Sequence, residues 1–589
     1  MSLRPRLSAA MIAFTIVLSG SAAAEKACEA LKDLKLDHAT IETAVSTEPG
    51  ALKQPPGMPS KVPDVTVPRH CAVTGTARPT ADSEIGFALW LPPVESWNGK
   101  YMQRGNGGWA GSIQPIVLAA PLMHGYAVAA TDDGHRGQGM MPDASWAIGH
   151  PEKLIDFGYR AVHETTRLSK TILQAYYGKA AGRAYFSGCS DGGREALMEA
   201  ERYPEDFDGI IAGAPANHWT HHFAGFLWNE VALNGKPEGK LPQEKLPAIE
   251  KAALAECDAR DGVKDGLIQD PRQCHFDPSV LLCKGTENAE CLTEPQIDTL
   301  KKIYEGPKDP QSGQQIYPGY EPGTEAEPGA WSIWIVGNSV QSLFGNTFFG
   351  QAVHEQAKWD WRTMDFVRDV ELADEKTASI LNSYNPDLRS FRDHGGKLIQ
   401  FHGWGDPAIA PRDSIAFYEE VETFLKSYPD PRSSSPADIR AFYRLFMIPG
   451  MQHCTGGLGP TSFGNDELAA GKDFPDDADH DITLALDRWV TEGVAPEKLI
   501  GTGKIGADAK SGNQGVRITR PLCPYLPLPG TRAREIPTPP KISIAPRVPL
   551  DNFTSAQTLS TWVPQVSRFS TPGKCFNYLV AVESPPNRK

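Results

Sequence analysis

None of the ten cysteines in this 589-residue chain forms a Cys-x-x-Cys pair, which counts against reading them as metal ligands. Beyond the N-terminus there is no apolar run long enough to span a bilayer, so no membrane anchor is expected. Positive charge is the minority sign, 58 Lys and Arg against 72 Asp and Glu, and the net charge of −14 argues against nucleic acid or an anionic membrane as partner. The acidity reads as a solvated surface. No internal repeat is found either, so the length must be met by two or three domains, or by one domain with a large insertion.

What remains is an ordinary globular composition, 40% hydrophobic and 22% charged. Arg4 and Arg6, an apolar run over 9–18 and small residues over 19–24 give the pattern of a signal peptide spanning 1–24. The run is short for a transmembrane helix. Export, to the periplasm or outside the cell, places the cysteines in an oxidising compartment, where a disulfide framework is expected. Proximity suggests Cys28 with Cys71, Cys257 with Cys274 and Cys283 with Cys291, leaving Cys523 for Cys575, although spacing alone does not determine connectivity.

The first chemical signal is Gly188-Cys189-Ser190-Asp191-Gly192. It fits the Gly-x-Ser-x-Gly nucleophile elbow, in which a strained strand-to-helix turn exposes the serine hydroxyl and small neighbours relieve crowding. Alone, the pentad more often marks a flexible loop. Its context is the required one: a short buried strand over 184–187, then apolar positions at helical spacing over 194–203 until Pro204.

Strands are expected at 66–76, 85–91, 100–104 and 126–131, a helix at 155–177, and another buried strand at 209–212. Sheet logic resumes with a strand at 397–401, a helix at 414–426, a strand at 441–448 and a helix at 482–491. This alternation predicts an α/β fold with a mostly parallel sheet wrapped by helices. Between its halves, 217–395 is rich in Trp and Pro and carries four cysteines. An insertion of that size between core strands reads as a lid over an active site, or else as an independent domain with its own partner. The division is 25–216 for the first part of the core, 217–395 for the lid and 396–589 for the second part, whose Pro-rich stretch over 521–549 reads as extended.

Ester or amide hydrolysis by serine needs a base, a carboxylate to orient it and backbone donors for the oxyanion. In the α/β-hydrolase order the acid and then the histidine follow the serine. Asp406 lies just past the strand ending near Phe401, and His453 follows the strand ending near Ile448. Either residue has a plainer reading, as a turn cap or a surface imidazole. Cys454 sits next to His453 as Cys189 sits next to Ser190, and bridged cysteines keep their α-carbons roughly 4.4 to 6.8 Å apart. Such a bridge would bring Ser190 and His453 within hydrogen-bonding range; the rival is Cys189 as a free thiol nucleophile. One oxyanion donor is expected at the Asp191 backbone N–H, and the other at Gly108, with Gly107 possible, in the Gly-rich loop 104–111. That loop lacks the Lys-Ser/Thr ending of a phosphate cradle.

Asp258, Asp261 and Asp265, spaced by glycines, form a loop that either supplies oxygens to calcium or is a solvated Asp-Gly turn; no glutamate closes it as in an EF-hand. His218, His221 and His222 would make weak zinc ligands and read better as core or hinge residues.

At Arg160-Ala161-Val162-His163, Ser187 to Arg194, Phe207 to Ala216, Gly396 to Pro407 and Pro449-Gly450-Met451-Gln452-His453-Cys454, the chain resembles the tannase and feruloyl esterase family of α/β-hydrolases. The resemblance implies an α/β-hydrolase fold with a large lid inserted between core strands, and a disulfide joining Cys189 to Cys454. It implies structural calcium held in the lid by Asp258, Asp261 and Asp265 with backbone oxygens of Val263 and Leu267, and no catalytic cofactor. His402 falls where the family lines its substrate pocket. Members cleave feruloyl and other hydroxycinnamoyl esters, galloyl esters and, in one bacterial branch, a terephthalate monoester. The expected function is a secreted serine carboxylesterase acting on a small aromatic ester through an acyl-enzyme on Ser190. The alternatives are a terephthalate monoester hydrolase and, from another class, a catalytically silent hydrolase fold that only binds. Oligomeric state is not legible.

Overall fold

The computed structural model describes residues 27–52, 65–137, 142–337, 339–428, 438–465, 475, 477–505, 516–526 and 581–582. The signal segment, most of the Pro-rich stretch and Cys575, with its expected bridge to Cys523, lie outside these residues.

The main sheet contains β1 (Ala39–Thr47), β2 (His70–Ala77), β3 (Ile85–Leu91), β4 (Lys100–Arg104), β5 (Ala127–Thr131), β6 (Arg183–Cys189), β7 (Gly209–Gly213), β8 (Lys397–Gly403) and β9 (Tyr443–Ile448). Across the sheet they run β1-β2-β3-β5-β4-β6-β7-β8-β9. From β5 to β9 every pair is parallel, as expected. The edge β1-β2-β3-β5 is antiparallel. Strands β5 and β7 are buried along their whole length, because helices cover both faces of a parallel sheet.

One strand assignment changes, and one strand, β1, was not expected. The expected strand at 66–76 breaks at Pro68, which has no N–H for a ladder; Thr66–Val67 pairs separately with Gly50–Ala51. Strand β1 carries no clean alternation because it is an edge strand with an irregular register between Ile41 and Thr43.

Around the sheet lie α1 (Ala161–Tyr177), α2 (Asp191–Arg202), α3 (Trp219–Asn234), α4 (Trp331–Trp334), α5 (Val340–Thr347), α6 (Pro411–Ser427) and α7 (Ile482–Glu492). Helix α1 ends on Gly178 in the left-handed conformation, which glycine adopts without a Cβ clash. A π-turn over Asp156–Arg160 precedes it. Helix α2 starts three residues before the expected 194, its first turn masked in the sequence by Gly192 and Gly193.

Residues 217–395 enter after β7 and return at β8. They do not form a separate body. Trp219, Phe223, Phe344 and Phe348 of the insertion share one hydrophobic cluster with Trp109, Phe157 and Ile409 of the core, each such buried ring being worth about 1.5–3 kcal/mol. The Cys257–Cys274 and Cys283–Cys291 bridges staple the insertion, and Cys28–Cys71 ties the N-terminal turn to β2.

Candidate active site

Ser190 sits between β6 and α2 with φ 67° and ψ −121°, a conformation that costs a non-glycine residue about 1–3 kcal/mol. The glycines make the turn possible. A Cβ on Gly188 would lie 2.5 Å from the Gly192 carbonyl oxygen, and one on Gly192 would lie 2.8 Å from the Asn106 carbonyl oxygen. The turn is pinned by the Ser190 N–H to the Gly213 carbonyl at 3.0 Å and by the Ala216 N–H to the Ser190 carbonyl at 3.1 Å.

His453 lies beyond β9 and bridges Ser190 and Asp406: Nε2 is 2.9 Å from the Ser190 Oγ and Nδ1 is 2.8 Å from the Asp406 Oδ2. The arrangement assigns the Nδ1–H tautomer, donating to the carboxylate and leaving Nε2 to accept the serine proton. Asp406 is buried, and its Oδ1 accepts the backbone N–H groups of Ala408 at 2.7 Å and Ile409 at 2.9 Å. Burial pushes its pKa up, but the charges of and hydrogen bonds to His453 and His402 outweigh this and hold the carboxyl well below the usual carboxylate range. Cys189 and Cys454 are bridged, which removes the thiol nucleophile from consideration.

The role expected for His402 is corrected. It is fully buried, with Nδ1 2.7 Å from the Ser414 Oγ and Nε2 facing both the Ile409 carbonyl at 3.1 Å and the Asp406 Oδ2 at 3.2 Å. It stands behind the acid rather than in a substrate pocket, because it lies within β8 while Asp406 lies beyond the strand's end.

The strap 105–108 lies against the elbow. The Gly192 N–H donates to the Asn106 carbonyl at 2.9 Å, and Glu195 accepts from the Asn106 backbone N–H at 2.9 Å and from its side-chain amide at 3.2 Å. Gly108 has φ 61°, and the Trp109 indole N–H reaches the Thr347 Oγ1 at 3.2 Å. The strap is thus held from α2 on one side and from the insertion on the other. The Asp191 carboxylate points inward to Arg194, whose Nε is 2.6 Å away, and its N–H opens the helix, where no intrahelical acceptor exists.

Two residues that contact the histidine or its loop were not legible in the sequence. Trp334 stands edge-on to the His453 ring at 5.2 Å between centroids. Glu327 clamps the histidine loop by accepting from the Gln452 side chain at 3.0 Å and the Leu458 N–H at 3.1 Å, and burial raises its pKa to about 8. The Trp richness of 217–395 was the available hint for the first.

In the acidic loop, Asp258 accepts the N–H groups of Asp265 and Gly266, both at 3.1 Å, Asp261 accepts that of Val263 at 2.8 Å, and Asp265 accepts that of Leu267 at 3.2 Å. Burial and the neighbouring Asp265 and Asp258 raise the pKa of Asp261, with Arg520, paired to Asp265, opposing. The donor chemistry, carboxylates and carbonyls crowded on one loop, fits calcium, although the carboxylates are turned onto backbone N–H groups and Arg520. His221 is committed to the Ile316 carbonyl and Asp374, both at 2.9 Å, and His218 stacks on it. These are packing roles.

A parallel α/β sheet with elbow serine, acid and histidine in that chain order defines an α/β-hydrolase. The family profile described as tannase and feruloyl esterase matches residues 71–533. An uncharacterised esterase of Xanthomonas campestris is 41% identical over 86% of this chain and 88% of its own length. Feruloyl esterase C of Talaromyces stipitatus is 30% identical over 77% of this chain and 81% of its own length. Among solved structures, feruloyl esterase B from Aspergillus oryzae superposes with a TM-score of 0.74 at 26% identity, covering 85% of this chain and 95% of that one. The tannin acyl hydrolase of Aspergillus niger gives 0.64 at 25% identity, over 83% and 89%. The chain belongs to the tannase and feruloyl esterase family and is a carboxylic ester hydrolase.

Proposed function

We propose that this enzyme is a secreted serine esterase that hydrolyses feruloyl, other hydroxycinnamoyl or galloyl esters through an acyl-enzyme on Ser190. The observation that carries the reading is the unbroken hydrogen-bonded line from the Ser190 Oγ through His453 to Asp406. Ser190 attacks the ester carbonyl as His453 takes its proton; Asp406 holds the imidazole and offsets its charge. The N–H groups of Asp191 and Gly108 stabilise the oxyanion. His453 then protonates the leaving alcohol, and water, activated by the same imidazole, releases the aromatic acid.

An aromatic acyl group suits the apolar surface that the insertion, acting as a lid, brings to the histidine. Trp334 flanks the imidazole, and Ile333 and Leu343 expose apolar side chains nearby in sequence. The signal-like N-terminus and the disulfides support secretion. The loop at Asp258, Asp261 and Asp265, with the carbonyls of Val263 and Leu267, would hold calcium as a structural ion.

Turnover of methyl ferulate, methyl gallate, chlorogenate and a terephthalate monoester by the wild type and by Ser190→Ala tests the reading. Hydrolysis of the first three by the wild type, abolished in the variant together with fluorophosphonate labelling, is expected. Retained turnover in Ser190→Ala rejects the nucleophile, and preference for the terephthalate ester rejects the substrate class.

A further inference from the structure

Beneath the oxyanion strap, Asp133, Asp191 and Glu195 bring carboxylate oxygens within 4.8 Å of one another, and all three side chains are essentially inaccessible to water. Among the described residues, the positive charge that meets them is Arg194, whose guanidinium is divided between Asp191 and the carbonyls of Gly158 and Phe157 at 2.7 and 3.0 Å. Three ionised carboxylates with one guanidinium would leave two uncompensated buried charges, which a protein interior does not tolerate. The deficit falls on Asp133. Both its oxygens lack any hydrogen-bond donor, although its backbone is held in the left-handed region at φ 59° with its N–H on the Thr131 Oγ1 at 3.2 Å. Glu195 opposite has both oxygens engaged by Asn106.

One proton removes one of these two charges, and the Asn106 donors on Glu195 stabilise the other; a metal ion suits the cluster less well. Calcium takes six to eight oxygens and magnesium keeps several waters, whereas here Glu195 and Asp191 already hold donors and no solvent reaches the group. We propose that Asp133 keeps its carboxyl proton in the folded enzyme and donates it to Glu195. This buried acid pair is then the positioning device that fixes the strap 105–108, and with it the second oxyanion donor.

The chemistry of the surroundings agrees. Burial first, then the charge of Glu195 and a hydrogen bond to it, then the charge of Asp191, push Asp133 well above the usual carboxylate range, with Arg194 opposing. Burial also raises Asp191 against the pull of Arg194. The strap itself, Gly105-Asn106-Gly107-Gly108, brings no titratable group. From the π-turn side, Asp156 packs against Gly134 and is paired with Arg160. A carboxyl with a raised folded-state pKa stabilises the fold most at low pH; that contribution fades as pH climbs from the ordinary carboxylate value through the raised one. The strap should therefore loosen on the alkaline side.

The proposal rests on the oxyanion reading above, and its test separates the two. Asp133→Ala removes the acid partner and leaves Glu195 buried with its Asn106 donors alone; kcat for methyl ferulate is expected to fall about 10-fold or more with KM within about twofold, since a displaced oxyanion donor acts on the transition state. Asp133→Asn supplies an amide donor in the same shape and is expected to recover most of the loss. Its melting temperature, followed from pH 5 to 10, should decline less on the alkaline side than that of the wild type, the rest of the slope coming from other raised carboxyls such as Asp191 and Glu327. Equal damage from Asn and Ala, an unchanged alkaline decline in Asp133→Asn, or wild-type melting that falls on chelation but no longer does so in Asp133→Asn overturns the acid pair. If Asp133→Ala does not fold, the melting curves of Asp133→Asn decide alone. Turnover by Ser190→Ala would reject the nucleophile and leave those curves standing.

Discussion

Ser190 and Cys454 both hold positive φ angles, 67° and 64°, on the two sides of a single disulfide. The Cys189–Cys454 bridge, with its α-carbons 5.9 Å apart, spans 265 residues of sequence. It fastens the residue before the serine to the residue after the histidine, so two strained turns are held in register by one covalent bond.

The double variant Cys189→Ala/Cys454→Ala should therefore stay folded, with a stability loss of about 2–4 kcal/mol. Its kcat should fall at least about 10-fold, because misplacing a catalytic group by about 1 Å can cost up to 100-fold. Calorimetry and steady-state kinetics on the same preparation check this. An undiminished kcat would show the bridge to be structural alone.

Asp406→Asn should lower kcat by about 10⁴-fold through the wrong imidazole tautomer. Because the folded-state pKa of Asp406 is depressed, its contribution to stability is full above the unfolded carboxylate value of about 3.9 and is lost as pH falls below it. Acid unfolding curves of the wild type and the variant should diverge above that value and converge in strong acid.

His402→Ala should act on kcat and leave KM nearly unchanged for every ester in the panel, since the ring touches Asp406 and Ser414 and is fully buried. A KM that rises selectively with one acyl group would restore the pocket role.

Trp334→Ala should reduce kcat/KM for methyl ferulate more than for a short aliphatic ester. The expected gap is about 10-fold, the scale of one aromatic contact together with its buried area. Parallel kinetics on the two esters measure it, and an equal loss on both would assign Trp334 to histidine placement instead.

Calcium at a hundredfold excess over its Kd should stabilise the protein by about 2.7 kcal/mol, read as a rise in melting temperature that chelator reverses. Asp261→Asn should abolish the response, since it removes one of the three carboxylates that the loop would offer the ion.

Local order determined much of this protein. The pentad around Ser190 needs glycines because a Cβ at 188 or 192 would strike backbone, and that requirement is written in five consecutive residues. The chain order of Ser190, Asp406 and His453, the parallel strands and the Cys189–Cys454 bridge were likewise legible through adjacency and motif. Tertiary structure alone decided what depends on which surfaces meet. It turned His402 to the back of Asp406, set Trp334 against His453 across 119 residues of chain (453 − 334), and brought Asp133 under Glu195. The last two are contacts between residues far apart in sequence, each of ordinary type, and no periodicity or spacing marks them, because packing energy depends on proximity in space and not on position along the chain.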